Sequence, residues 1–222
     1  MSIQNNLNNI KQSLPEHVTL VAVSKTKPIS DLMEAYNIGQ RIFGENKIQE
    51  MVEKYKEMPK DIKWHMIGHV QRNKVKYMAE FVSLIHGVES FKLLKEINKQ
   101  AKKHDRVIDC LLQIKIAEED SKFGMTPQDA STILQSEEFS TLKNIKITGV
   151  MGMATFTNNT LQIEKEFKLL KTVFDELKLL NSTNCKLETI SMGMSGDYNL
   201  AIECGSTMVR VGSSIFGSRN YN

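Results

Sequence analysis

Residues 19–44, TLVAVSKTKPISDLMEAYNIGQRIFG, contain one complete strand–helix–strand unit. Thr19–Ser24 is a short run of apolar and β-branched residues, which predicts a buried strand. A helix is predicted over Ser30–Ile38 and a second strand over Arg41–Gly44. The first strand is almost entirely apolar, as expected of a parallel strand whose outer face is covered by helices. This segment therefore predicts an α/β fold.

The same alternation continues to the end of the chain. The other predicted strands are Trp64–Gly68, Phe81–Gly87, Asp109–Ile116, Ile147–Ala154, Leu187–Met192 and Thr207–Val211. The other predicted helices are Ile48–Met58, Gln71–Ala79, Ser90–His104, Thr126–Gln135, Leu161–Leu180 and a short one at Tyr198–Cys204, with one more around Ile3–Ser13 before the first strand. In the longest helix, Phe167, Leu170, Phe174 and Leu177 recur at helical spacing.

Eight strands alternating with helices over about 200 residues predict a single-domain (β/α)8 TIM barrel. We expect that domain to span residues 1–222, because no linker-like stretch or change of composition divides the chain. An open, doubly wound parallel sheet is the alternative, since alternation alone does not prove that the sheet closes.

Composition excludes several classes of protein. The net charge is +3, with 29 basic and 26 acidic residues spread along the chain, and no basic run carries interleaved aromatics, so we expect no nucleic-acid partner. No apolar stretch approaches the roughly 18 residues that span a bilayer, so we expect no membrane association. The N-terminus is polar and lacks a signal core. Cys110, Cys185 and Cys204 are predicted to be reduced core residues, and the protein to be cytoplasmic.

Lys25 follows the first predicted strand directly. An amine at the edge of an apolar core loses hydration, which lowers the pKa of a lysine and prepares it to form an imine with an aldehyde. The alternative is a solvated lysine at a strand end. Polar or small residues follow the other strands too, and in a barrel they would converge on one mouth: Glu45, Asn46, His69, Met153, Thr155, Ser195, Gly196 and Gly212–Ser214.

Two Gly/Ser-rich segments near the end of the chain predict a phosphate site. Ser191–Asp197 follows the seventh strand and Arg210–Gly217 the eighth. Glycines let the backbone approach an anion, and helix N-termini attract it. A plain turn is the alternative for either segment alone. Arg210 lies between valines, so it is either a fixed guanidinium that donates to a ligand or part of a strand-end salt bridge.

Five ordered motifs carry a family resemblance, at Ala22–Lys27, Phe43–Asn46, Trp64–Lys74, Ser191–Asp197 and Val209–Gly217. They resemble those of the pyridoxal phosphate homeostasis proteins, barrels similar to the N-terminal domain of alanine racemase. The resemblance implies that Lys25 holds pyridoxal 5′-phosphate as an aldimine and that Arg210 faces the pyridine nitrogen. It further implies a phosphate site at Ser195, Gly196, Gly212 and Ser213, and a cofactor pocket lined by Asn46, His69 and Met192. Lys27 and Lys122 are candidate auxiliary amines, although solvated lysines are the favoured interpretation.

The resemblance favours a carrier over a catalyst. A cationic arginine beside the pyridine nitrogen disfavours the protonated ring that stabilises a carbanion. In alanine racemases a tyrosine from an added C-terminal β-domain opposes the lysine, whereas this chain stops at Asn222. We therefore expect a monomeric, non-catalytic protein that contributes to vitamin B6 homeostasis, with PLP-dependent apo-enzymes as candidate partners. A weak PLP-dependent amino-acid racemase is the alternative. A phosphosugar lyase ranks last, because Glu45 alone is insufficient for its acid/base work.

Overall fold

Eight parallel strands close into a barrel in the computed structural model, which describes residues 2–118, 123–180 and 182–218. Each strand pairs with the next in sequence, and β8 pairs with β1. The strands are β1 Thr19–Val23, β2 Ile42–Glu45, β3 Lys63–Met66, β4 Leu84–Val88, β5 Ile108–Gln113, β6 Ile145–Met151, β7 Cys185–Met194 and β8 Met208–Val211. The predicted barrel is therefore confirmed, and the open sheet is excluded because β1 and β8 are hydrogen-bonded to each other.

Helices surround the barrel, one or more after most strands. They are α1 Ile3–Ser13, α2 Ile29–Asn37, α3 Ile48–Glu57, α4 Phe91–Lys103, α5 Pro127–Gln135, α6 Glu137–Ser140, α7 Thr160–Lys178, α8 Tyr198–Glu203 and α9 Ser213–Phe216. The predicted helix Gln71–Ala79 is instead a 3₁₀ helix at Arg72–Tyr77, and the fourth strand begins three residues later than predicted. The reason for the later start is local: the amides of Phe81 and Val82 bond back to the Met78 carbonyl.

Strand parity divides the core into two layers. On β1, Val21 and Val23 point into the barrel, whereas Leu20 and Ala22 pack against the surrounding helices. Lys25 lies two residues beyond Val23, in the turn at the carboxyl-terminal end of β1. The inward apolar group consists of Val21, Val23, Ile67, Leu84, Leu111, Met151 and Met208. Polar side chains that follow these positions on the strands therefore meet at the carboxyl-terminal mouth.

Close backbone approach fixes two glycines in the barrel wall. A Cβ on Gly68 would lie 2.4 Å from the Asn46 carbonyl oxygen, and one on Gly149 would lie 1.9 Å from the Thr189 carbonyl oxygen. Neither contact is possible for a real side chain, so both residues are required where neighbouring strands approach. Among the described residues, no helix is both long and apolar enough to cross a membrane, and no group of three or more potential ligands could hold a metal ion.

Candidate functional site

Barrel closure brings the two ends of the chain together at the mouth. Lys25 lies in the turn after β1 and is half-buried. Gly212, which follows β8, lies against the end of β1: a Cβ there would be 3.0 Å from the Val23 carbonyl oxygen. The Gly212 amide donates to Ser195 Oγ at 3.2 Å. Lys25 and both Gly/Ser segments therefore occupy one edge of the barrel, as the sequence predicts.

The loop after β7 has a defined shape. The Met194 amide donates to Asp197 Oδ1 at 2.6 Å, and the Asp197 amide donates back to the Met194 carbonyl at 3.1 Å. Gly193 has φ 93°, and a Cβ there would be 2.6 Å from Ala201 Cβ. Gly196 has open space where a side chain would stand. The loop thus presents Ser195 and Gly196 on a rigid base.

The segment after β8 offers backbone donors beside that loop. Gly212 occupies the N-cap position of α9, and no side chain in the described part of the chain caps this helix. The Gly212 amide donates to Ser195 Oγ and the Ile215 amide to the Gly212 carbonyl, so the amides of Ser213 and Ser214 are the ones at this helix start that could meet an anion. Ser213 begins the helix and is exposed. With Ser195, these groups form a polar cradle that fits a phosphate.

Arg210 points into the barrel and is almost fully buried, 4% exposed. It donates from Nη1 to Ser191 Oγ at 2.7 Å and from Nη2 to the Gly152 carbonyl at 3.1 Å. Burial lowers the pKa of Arg210 to about 10, against an opposing effect of Asp197, so the guanidinium stays charged at neutral pH. Both hydrogen-bond partners are neutral oxygens, which argues against the strand-end salt bridge. Across the β1–β8 ladder, Arg210 is paired with Val21.

Two buried histidines extend the arginine's contacts across the barrel. His86 Nδ1 lies 3.0 Å from Ser191 Oγ, and His86 Nε2 lies 3.0 Å from His65 Nδ1. Burial lowers the pKa of His65 to about 3 and that of His86 well below its usual range, so both rings are neutral. Arg210 donates to the Ser191 hydroxyl, and the tautomers of the two imidazole rings set which atom donates in the contacts from Ser191 to His86 and from His86 to His65. The four side chains form one connected network.

Sequence reasoning did not identify His65, His86 or Ser191 as site residues. The available signal was parity, because His65 lies two residues before Ile67, an inward position of the barrel. Parity can be used only when the strand boundaries and the inward-facing residues are already known. A histidine in an apolar strand otherwise gives no indication of its partner 21 or 105 residues away.

Glu45 does not face the mouth, contrary to the expected convergence. The preceding Gly44 faces the interior, where a Cβ would be 2.8 Å from Val21 Cγ1, so Glu45 is turned outward toward α3. There Glu45 Oε1 accepts from Ser24 Oγ at 2.6 Å and from Lys54 Nζ at 2.7 Å. Burial raises the pKa of Glu45 to about 7, although Lys54 and Ser24 oppose that rise.

Asn46 and His69 lie at the mouth, with different exposure. Asn46 follows β2 directly and is half-buried, with its main chain against Gly68. His69 is at the outer rim, where Nδ1 lies 3.2 Å from Glu89 Oε1 and the ring stacks on Phe123 at 4.5 Å between centroids. Asn46 is therefore the more buried of the two.

The other predicted residues lie elsewhere. Met192 is fully buried in the layer between strands and helices, so its side chain does not join the inward group. Lys27 is half-buried and donates to the carbonyls of Phe216 and Ser218 at 2.7 and 3.0 Å, so its amine is held against the segment that follows β8. Lys122 lies outside the described residues.

The assembled groups match the chemistry of one ligand. A primary amine suits an aldehyde, uncapped amides with hydroxyls suit a phosphate, and a buried guanidinium suits a ring nitrogen that accepts a hydrogen bond. Pyridoxal 5′-phosphate carries all three groups. The open space at Gly196, where a side chain would stand, leaves room for its phosphate beside Ser195.

Comparison with known proteins identifies relatives over the whole chain. The family model described as alanine racemase, N-terminal domain, matches residues 1–220. A pyridoxal phosphate homeostasis protein of Haemophilus influenzae is 37% identical over 235 residues, covering 100% of this chain and 98% of that protein. The human protein of that name is 39% identical over 91% of this chain and 77% of its own length.

Solved structures agree with this grouping. PipY of Synechococcus elongatus with PLP bound is 33% identical, with a TM-score of 0.88 over 97% of this chain and 100% of that one. An alanine racemase of Clostridium difficile has a TM-score of 0.77 over 98% of this chain and 56% of its own, at 17% identity. The second likeness concerns the fold alone.

Proposed function

The chain belongs to the pyridoxal phosphate homeostasis family, whose barrel is that of the alanine racemase N-terminal domain, and we propose that it holds pyridoxal 5′-phosphate on Lys25. The bound cofactor supplies an aldehyde that condenses with a primary amine. In that step the Lys25 amine and the aldehyde carbon form a C=N bond and one water leaves. Hydrolysis by water reverses the step and frees the cofactor for delivery, so the protein buffers the intracellular supply.

The observation that carries this proposal is the buried Arg210 guanidinium. Among the described residues its hydrogen-bond partners are two neutral oxygens, and it lies next to the strand that leads to Lys25. A buried cation of this kind favours a ligand group that accepts a hydrogen bond. The same charge disfavours protonation of a ring nitrogen, which supports a carrier rather than a catalyst.

Further roles follow for the residues at the mouth. Ser195, Gly196, Gly212 and Ser213 would hold the phosphate through hydroxyls and amides, and Asn46 and His69 would border the ligand. We further propose that the protein is a cytoplasmic monomer and that its recipients are PLP-dependent apo-enzymes. Free Cys110, Cys185 and Cys204 support a reducing compartment.

The absorption spectrum tests cofactor binding directly. We expect added cofactor to give the visible band of a protonated imine, which Lys25→Ala abolishes and Lys99→Ala, an exposed lysine on α4, retains. Borohydride reduction of the C=N bond followed by peptide mapping should place the modified lysine at position 25. A wild-type protein that remains colourless with added cofactor would refute the proposal.

A weak racemase is the second candidate, favoured by the match to an alanine racemase domain. Racemisation requires abstraction of the Cα proton, so a racemase loaded with cofactor would exchange that proton of L-amino acids in deuterium oxide. For this protein we expect no exchange above that of free cofactor. The lyase alternative loses its one carboxylate, because Glu45 is turned to α3 and away from the mouth.

A further inference from the structure

Lys25 lies in a strained turn. The Lys27 amide donates to the Ser24 carbonyl at 3.1 Å, which closes a four-residue turn with Lys25 and Thr26 at its centre. Thr26 has φ 64°, a left-handed conformation. Turns with positive φ at the third position favour glycine, and a β-branched residue there is an outlier. Such strain persists only where the surrounding structure enforces it.

Two side chains of α3 enforce it. Glu50 Oε1 accepts the Thr26 amide at 2.6 Å, and Lys54 Nζ donates to the Ser24 carbonyl at 2.8 Å. The two side chains also pair with each other at 2.7 Å. Helix α3 therefore holds the turn on both sides of Lys25.

The contacts of α3 with the turn depend on a buried charge. The Lys54 side chain is 6% exposed, and its three N–H donors go to Ser24, Glu45 and Glu50. Since this ammonium is almost completely removed from water, salt screens its interactions only weakly. Removal of one carboxylate partner would leave a buried charge incompletely compensated, so the group acts as a unit.

We propose that Glu50 and Lys54 are positioning residues, which hold the left-handed turn at Thr26 so that the Lys25 amine is presented to the aldehyde of the ligand. This inference rests on the proposed function. Without the Glu50 carboxylate, the Thr26 amide is released and the turn relaxes to negative φ, which displaces the neighbouring Lys25. Ligand binding must then restore the turn, and the free energy that this requires lowers the affinity for the ligand.

A double-mutant cycle tests the inference. Glu50→Ala is made in the wild-type protein and in the Thr26→Gly protein, since glycine adopts positive φ without strain. Binding of pyridoxal 5′-phosphate is titrated through the imine band. We expect Glu50→Ala to weaken binding on the order of tenfold when Thr26 is present, and less than about threefold in the Thr26→Gly background. Glu53→Ala, an exposed glutamate on the same helix, is the matched control.

The outcomes separate the two proposals. If wild type takes up no cofactor, the proposed function fails. If wild type binds and Glu50→Ala behaves like Glu53→Ala, only the positioning role fails. An equal loss in both backgrounds would also overturn it, because the strain at Thr26 would then be irrelevant. Should Glu50→Ala not fold, Glu50→Met replaces it in both backgrounds: it keeps the length of the side chain but removes the acceptor of the Thr26 amide, and the same cycle decides.

Discussion

The buried carboxyl of Glu45 should make the stability of the protein depend on pH. Burial raises the pKa of Glu45 from 4.5 to about 7 in the folded state. One carboxyl oxygen, Oε2, is buried and has no hydrogen-bond partner within the described structure, so the charged form is incompletely satisfied. The experiment raises the pH from 4.5 to 8 and compares wild type with Glu45→Gln, a variant that cannot titrate at this position.

The sign and size follow from the two pKa values. Because the folded protein binds the proton more tightly, the stabilisation is complete below pH 4.5 and is lost as pH rises through 7. Each pH unit between the two values is worth ~1.4 kcal/mol, so ionisation of Glu45 removes about 3 kcal/mol of unfolding free energy. For a protein of this size that corresponds to about 6–12 °C in Tm.

The assay compares wild type with Glu45→Gln by thermal unfolding at half-unit steps of pH. Titrations away from this cluster are common to both proteins, so the pH dependence of the difference in Tm reports Glu45 together with its charged partners Lys54 and Glu50. We expect wild type to lose stability relative to the variant across this range. The carbon-13 shift of the labelled Glu45 carboxyl should titrate with a midpoint near 7. A difference in Tm that stays constant with pH, together with a midpoint near 4.5, would refute the reasoning.

Two further substitutions test the packing of the site. Ser191→Ala removes the hydroxyl shared by Arg210 and His86, so we expect a loss of about 1–3 kcal/mol in urea unfolding, and a loss below ~0.5 kcal/mol would contradict the network. Gly193→Ala should destabilise more than Gly39→Ala in the same assay: both have positive φ, but only at Gly193 does the new Cβ meet another side chain, 2.6 Å from Ala201 Cβ. Equal losses would show that backbone strain alone matters there.

The fold was largely predictable because its signal is local. Short apolar strands and amphipathic helices differ in the period of their hydrophobic residues, and that period is visible in any stretch of the chain. The errors arose where local hydrogen bonding overrode composition. Phe81 and Val82 are apolar and strand-like, yet their amides bond back to the preceding turn. The four-residue helices α6 and α9 are too short to show a period.

By itself, the sequence determined the strand–helix repeat, and it placed Lys25 and both Gly/Ser segments at strand ends. Only the tertiary structure decided which polar groups meet. Closure of β8 on β1 joins residues about 190 positions apart, and strand parity sends Glu45 outward and Ser191 inward. The network from Arg210 to His65 and the hydrogen bonds of α3 with the Lys25 turn both depend on these long-range contacts. Hydrogen bonds require positions correct to tenths of an ångström, and those come from packing across the barrel rather than from neighbours in sequence.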